Sequence, residues 1–152
     1  MLIEKGVGLT LTLNDEPLTM FRGIACNYRR MHYIQIIEGR NHAMMILTKA
    51  IKKHLAENTA RRDSPDNKPA LKLFTPWGAA TWLITEMDSN GIMFGLCDLG
   101  MGSPELGDVS LAELMSVRGP MGLKVERDLH FTADRTLAEY AADARAAGRI
   151  TA

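Results

Sequence analysis

Two cysteines, Cys26 and Cys97, are too few and too far apart for a disulfide framework, and they form no Cys-x-x-Cys pair that would bind a metal through thiolates. A reducing cytoplasm suits such a chain. No apolar run approaches the roughly 20 residues needed to span a bilayer. Glu4 and Lys5 interrupt any apolar core of a secretory leader. Net charge is absent as well: 18 Lys and Arg balance 18 Asp and Glu, so no broad positive field draws nucleic acid non-specifically. There is no internal repeat, no low-complexity segment and no phosphate-loop or dinucleotide fingerprint.

What the sequence does hold is the material of a globular fold. With 46% hydrophobic and 24% charged residues over 152 positions, disorder is excluded as the default and one real core is expected. Charge is unevenly placed. Residues 1–75 carry 12 Lys/Arg against 7 Asp/Glu, and residues 76–152 carry 6 against 11. Such a split fits a basic helix beside acidic strands, or a head-to-tail homo-oligomer.

Two parts separate along the chain. Residues 1–43 hold an alternating stretch, Val7 to Leu13, a turn at Asn14-Asp15-Glu16-Pro17 and a second β-like stretch from Met31 to Ile37. They read either as a β-hairpin or as a non-native extension. The second reading comes from Ile37-Glu38-Gly39-Arg40, the cleavage sequence of a well-known processing protease, followed by a start at Met44-Met45.

Residues 44–152 read as a single α+β domain. Thr48 caps a helix with Leu47, Ile51 and Leu55 on one face, and Asn58 is its expected stop. Ala70–Thr75, Ala80–Met87 and Ile92–Cys97 form a three-stranded antiparallel meander, turned at Pro76-Trp77-Gly78 and at Asn90-Gly91. The Asn-Gly pair is the strongest short hairpin signal, because both residues tolerate positive φ. Asp98 to Asp108, with three glycines and Pro104, is expected to be a loop. Ser110 and Glu113 frame a short helix ending before Gly119-Pro120, and Leu123–Phe131 alternates as a half-exposed strand with Arg127 on the apolar side. Thr136 and Glu139 open a last helix that stops at Gly148. The expected architecture is an antiparallel sheet of about four strands with two or three helices packed on one face.

Four groups could carry chemistry. Glu126, Asp128 and His130 alternate on the expected strand and would share a face, where two carboxylates and an imidazole can bind a divalent ion or pair an acid with a base. A solvated sheet face has the same composition. Asp98, Glu105 and Asp108 line the glycine-containing segment; their charges repel phosphate and suit a cation or a basic partner, and a structured surface loop is the plain alternative. Cys97 would need His130 beside it to act as a nucleophile, whereas its apolar strand suits a small core residue. Lys49, Lys52, Lys53, Arg61, Arg62, Lys68 and Lys72 could contact phosphates, but this segment lacks aromatics for stacking and also fits the wet side of a helix and loop. His32, His42 and His54 have no partner at ligand spacing.

Long runs carry a resemblance. Lys68 to Pro76, Ala79 to Glu86, Phe94 to Gly102, Pro104 to Gly107, Val125 to Phe131 and Ala146 to Ile150 resemble a bacterial family known as domain of unknown function 2958, over about residues 45–150. Residues 1–43 do not match it. The family implies no activity and no cofactor; its members look like accessory proteins of plasmids and integrative elements. The resemblance therefore implies a non-enzymatic binding protein of a mobile element that counters host defence, with a protein partner and no membrane. The acidic residues Asp98, Glu105, Asp108, Glu126 and Asp128, with His130, are the expected binding group. A metal-dependent hydrolase or nuclease using them is one alternative, and a nucleic-acid accessory protein using the basic segment is the other.

Overall fold

The computed structural model describes residues 12–13, 16–17, 46–62 and 64–152. The chain divides into two units, Met1–Glu38 and Gly39–Ala152. In the first, β1 (Thr12–Leu13) pairs antiparallel with β2 (Glu16–Pro17), Leu13 opposite Glu16. The expected strand at Met31–Ile37, together with Cys26, His32 and His42, lies outside the described residues.

In the second unit, strict alternation decides which side chains meet. Strands β3 (Leu71–Phe74), β4 (Thr81–Met87), β5 (Ile92–Asp98), β6 (Glu105–Ser110) and β7 (Glu126–Arg127) form one antiparallel sheet in the order β6-β5-β4-β3-β7. The α+β class holds, with one strand beyond the four expected. Leu71, Leu73, Trp82, Ile84 and Met93 point to one face, where they pack with Leu55 of α1 (Lys49–Ala60) and Leu114 of α2 (Leu111–Ser116). Leu83 and Leu96 point to the other, against Leu137, Tyr140, Ala141 and Ala144 of α3 (Leu137–Ala147). Two helices thus share a face as expected, and the third covers the opposite one. The β4 burial pattern records this, for Trp82 through Glu86 are all buried, as a central strand covered on both sides must be.

Local chemistry sets the ends of these elements. At the β4–β5 turn, Asp88 Oδ1 accepts from the backbone N–H groups of Asn90 and Ile92, both at 2.8 Å, and Gly91 takes φ 79°. Thr48 and Ser110 cap α1 and α2, while Thr136 and Glu139 form a reciprocal capping box on α3, closed by Gly148 in the left-handed conformation.

Two expectations need correction. Residues 98–108 are not a continuous loop: β6 begins at Glu105 and pairs with β5 from Cys97–Glu105 to Ile92–Ser110. Its glycine, Gly107, pairs with Gly95 in the ladder. Likewise Leu123–Phe131 is not one strand. A 3-10 turn occupies Pro120–Gly122, only Glu126 and Arg127 join the sheet, and Asp128 Oδ1 accepts from His130 N–H to turn the chain away.

A β-bulge fixes α1 to the sheet. Ile84 faces Gly95 and Glu86 faces Phe94, so Thr85 is an extra residue with none opposite it in the β5 register, its hydroxyl donating to Phe94 O at 3.2 Å. Its carbonyl accepts from Asn58 Nδ2 at 2.9 Å, and the same amide donates to Lys68 O at 3.0 Å. Asn58, expected to stop α1, is instead buried inside it, two residues before its end. Opposite the bulge, a Cβ on Gly95 would lie 2.1 Å from the Leu83 carbonyl oxygen, so no side chain fits there.

Gly95→Ala is expected to lower unfolding free energy by about 3 kcal/mol or more, since the obstacle is backbone. Asn58→Ala is expected to cost about 2–4 kcal/mol, because the buried Thr85 carbonyl and the part-buried Lys68 carbonyl lose their donor. Urea titrations followed by tryptophan fluorescence check both; wild-type midpoints would contradict this account of the bulge.

Candidate functional site

The acidic residues singled out in the sequence fall into three separate settings. Asp98, at the end of β5, is buried. Its Oδ1 accepts from Gly100 N–H at 2.8 Å and its Oδ2 from Ile150 N–H at 2.9 Å. Both oxygens are thus committed to backbone, and Asp98 acts as a clasp between the sheet and the segment after α3. Glu105 and Asp108 are exposed on β6, an outer strand of the sheet. Glu126, Asp128 and His130 lie at the other side, beyond β3. Asp128 pairs with Lys72 Nζ at 3.2 Å, and the His130 N–H bond, followed by Lys72, holds its carboxyl below the usual carboxylate range. His130 is exposed. Among the described residues no three His, Cys, Asp or Glu side chains come together in a way that could hold a metal ion.

Cys97 faces the α1 and α2 side of the sheet. Burial, reinforced by the negative charge of Asp108, pushes its thiol up to about 11. A nucleophile needs the opposite shift, so the core reading of this residue prevails. Arg127 does lie on the apolar side, as its place in the alternation requires. Its Nη1 donates to Ile46 O at 3.4 Å, and its buried Nε makes no hydrogen bond among the described residues.

The basic segment is partly spent within the fold. Arg62 Nε binds the buried Glu86 carboxylate at 2.7 Å, and Lys72 holds Asp128. Lys49, Lys52 and Lys53 remain on the exposed side of α1.

Sequence reasoning missed a cluster of apolar loops at one end of the sheet. Antiparallel register places the β3–β4 turn, the β5–β6 loop and the segment before β7 at that same end. The turn at residues 75–80 is their common support, closed by Thr75 N–H to Ala80 O and Gly78 N–H to Thr75 O. Gly119 lies directly on the Trp77 ring, where a Cβ would sit 2.2 Å from a ring carbon, and Gly100 lies against Ala79. From these supports Leu99 (57% exposed), Met101 (77%) and Met121 (98%) project into solvent, with Val117 and Leu123 beside Met121.

The Met121 loop is held by its own bonds. Gly119 N–H donates to Leu123 O, Gly122 N–H to Gly119 O and Leu123 N–H to Pro120 O. Met121 itself takes φ 55°, the one non-glycine residue with positive φ among those described. That conformation costs on the order of 1 kcal/mol for a side chain with a Cβ. The visible signal is Gly119-Pro120-Met121-Gly122, two glycines around an apolar residue, which by itself marks only a helix stop.

Fold and site together define a small α+β domain that exposes apolar loops at one end of its sheet. The chain belongs to the family described as Protein of unknown function (DUF2958), whose model matches residues 46–151. No curated protein and no solved structure matches it. No helix among the described residues is long and apolar enough to cross a membrane.

Three outcomes follow from this geometry. Asp98→Ala takes a buried carboxylate acceptor from two part-buried N–H donors, so about 1–3 kcal/mol is lost and the Ile150 amide exchanges with solvent much faster by NMR. Cys97 reacts with iodoacetamide at neutral pH far more slowly than a free thiol; equal rates would contradict its burial. Asp128 has a depressed folded pKa, so its contribution is in place above the ordinary carboxylate range and is lost as pH falls through the folded value. The Asp128→Asn variant is therefore expected to show a shallower acid limb in stability against pH.

Proposed function

We propose that this chain is a non-enzymatic binding protein whose protein partner docks on the loop end of the sheet. The exposure of Leu99, Met101 and Met121 on loops braced by Trp77 and Ala79 carries this reading. Water-facing apolar side chains gain by burial against a partner. Methionine adapts its shape to what it meets. The cost of holding Met121 at positive φ is a cost that a merely solvent-facing loop has no use for.

Charged groups surround this apolar centre. Arg118 and Lys124 flank Met121 in the chain, Glu105 follows the β5–β6 loop and Glu126 opens β7. An apolar centre with a charged rim is the usual anatomy of a protein interface. In this reading Glu105, Asp108 and Glu126 steer a basic partner. A host defence protein with a surface built for phosphates is the partner class that suits this acidic rim. The metal-dependent hydrolase reading gains no support from the geometry, since Glu126, Asp128 and His130 do not converge.

Affinity capture from a bacterial extract, with wild type and a Met101→Glu/Met121→Glu variant side by side, tests the proposal. Both side chains are exposed, so the variant keeps its fold, and it is expected to lose at least tenfold of the captured partner. A partner held equally by both proteins would remove the loop end as the docking site.

A further inference from the structure

Two open clefts meet at Phe131 and Thr132, on the side of the domain away from the apolar loops. The larger, about 380 Å³, is lined by Phe131 together with His54, Arg61 and Lys68, and, among the described residues, by one carboxylate, Asp66. The smaller, about 340 Å³, includes His130, Arg135, Asp134 and Tyr140. The fold thus supplies what the basic segment lacked in sequence, an aromatic ring beside its cations.

We propose that the larger cleft binds a nucleoside phosphate, free or as a unit of a single strand, with the base against Phe131 and the phosphate among His54, Arg61 and Lys68. A half-buried aromatic ring and exposed cations lining one concave surface are the two elements of base-tolerant nucleotide binding. Phe131 is held in place by its neighbours. Its ring is tilted 52° against that of Tyr140 at 6.3 Å between centroids, and Lys72 Nζ lies 6.0 Å from its centre. Lys68 spends one donor on Asp134 O, which directs the ammonium and leaves two N–H groups for a ligand.

One objection is the end of α1, whose carbonyls carry partial negative charge. Those of Asn58 and Arg61 accept from the Asn67 side-chain amide and are turned to internal use. Carboxylates decide between the two clefts. In the smaller one Asp128 and Asp134 face the same space as His130 and Arg135, and Asp134 accepts from Tyr140 Oη at 2.6 Å. In the larger one Asp66 is the one carboxylate among the described lining residues, against three cationic or N–H-bearing side chains. The phosphate therefore belongs to the larger cleft, and Asp66 weakens its hold.

Fluorescence anisotropy with a labelled oligothymidylate of about ten nucleotides, at low and moderate salt, tests this, with unlabelled AMP as competitor. Wild type is expected to bind at low salt. Arg61→Glu/Lys68→Glu, on exposed side chains, is expected to weaken binding at least tenfold and to flatten its salt dependence. Phe131→Leu, which keeps most of the packing volume, is expected to weaken it about tenfold. Asp66→Asn tightens it, and Lys49→Ala/Lys52→Ala, outside the cleft, leaves it unchanged. Displacement by AMP marks a free nucleotide as ligand, and resistance to AMP marks a strand. No binding at low salt overturns the proposal. So does binding that is indifferent to Phe131→Leu, which would reduce it to surface charge.

Discussion

One buried amide holds the architecture in register. Asn58 is polar, inside a helix and almost wholly removed from water, a costly position unless every donor is used. It uses them on Thr85 O and Lys68 O, while its own backbone carbonyl accepts from Asn67. The bulge at Thr85 frees a carbonyl that would otherwise point along the ladder, and only a donor at this place on α1 satisfies it. Asn67 continues the chain of contacts, since its backbone carbonyl accepts from Leu137 N–H at the start of α3. Helices on opposite faces of the sheet are thereby tied to one polar thread, whereas apolar contacts alone would allow them to slide.

Much of this was legible in sequence because it obeys short-range rules. Asn90-Gly91 permits one hairpin, Thr136 with Glu139 permits one helix start, and alternation through Trp82, Leu83 and Ile84 separates two faces. What escaped notice depends on tertiary context. β6 looked like loop because Gly107 and Pro104 weaken any strand signal, yet pairing with β5 outweighs that local preference. Conversely, the alternation of Leu123–Phe131 promised a long strand, yet β3 ends at Phe74 opposite Glu126 and receives nothing earlier, and past Arg127 the Asp128 carboxylate turns the chain away. The site residues show the same limit. Asp98 read as a loop carboxylate open to a ligand; its role as a clasp appears only when Ile150 is brought beside it across 52 positions of sequence.

The charge split between the two halves finds part of its answer within the chain. Arg62 with Glu86 and Lys72 with Asp128 each join a basic residue of the first half to an acid of the second. Glu86 is the acid that most needs this, being buried, and its loss of hydration is offset by a guanidinium at 2.7 Å. Pairing of this kind leaves the remaining charge in patches: exposed lysines along α1 and exposed acids on β6.

The clasp at Asp98 also bears on how the chain matures at the ribosome. Strands β3 to β6 follow α1 and can pair as soon as they are made, since each neighbours the next in sequence. One face can then be closed by α1 and α2. The opposite face, with Leu83 and Leu96, stays open until α3 and Ile150 have been synthesised. The nascent domain therefore passes through a half-dressed stage in which one side of the sheet is bare, and sealing that side waits on α3 and Ile150.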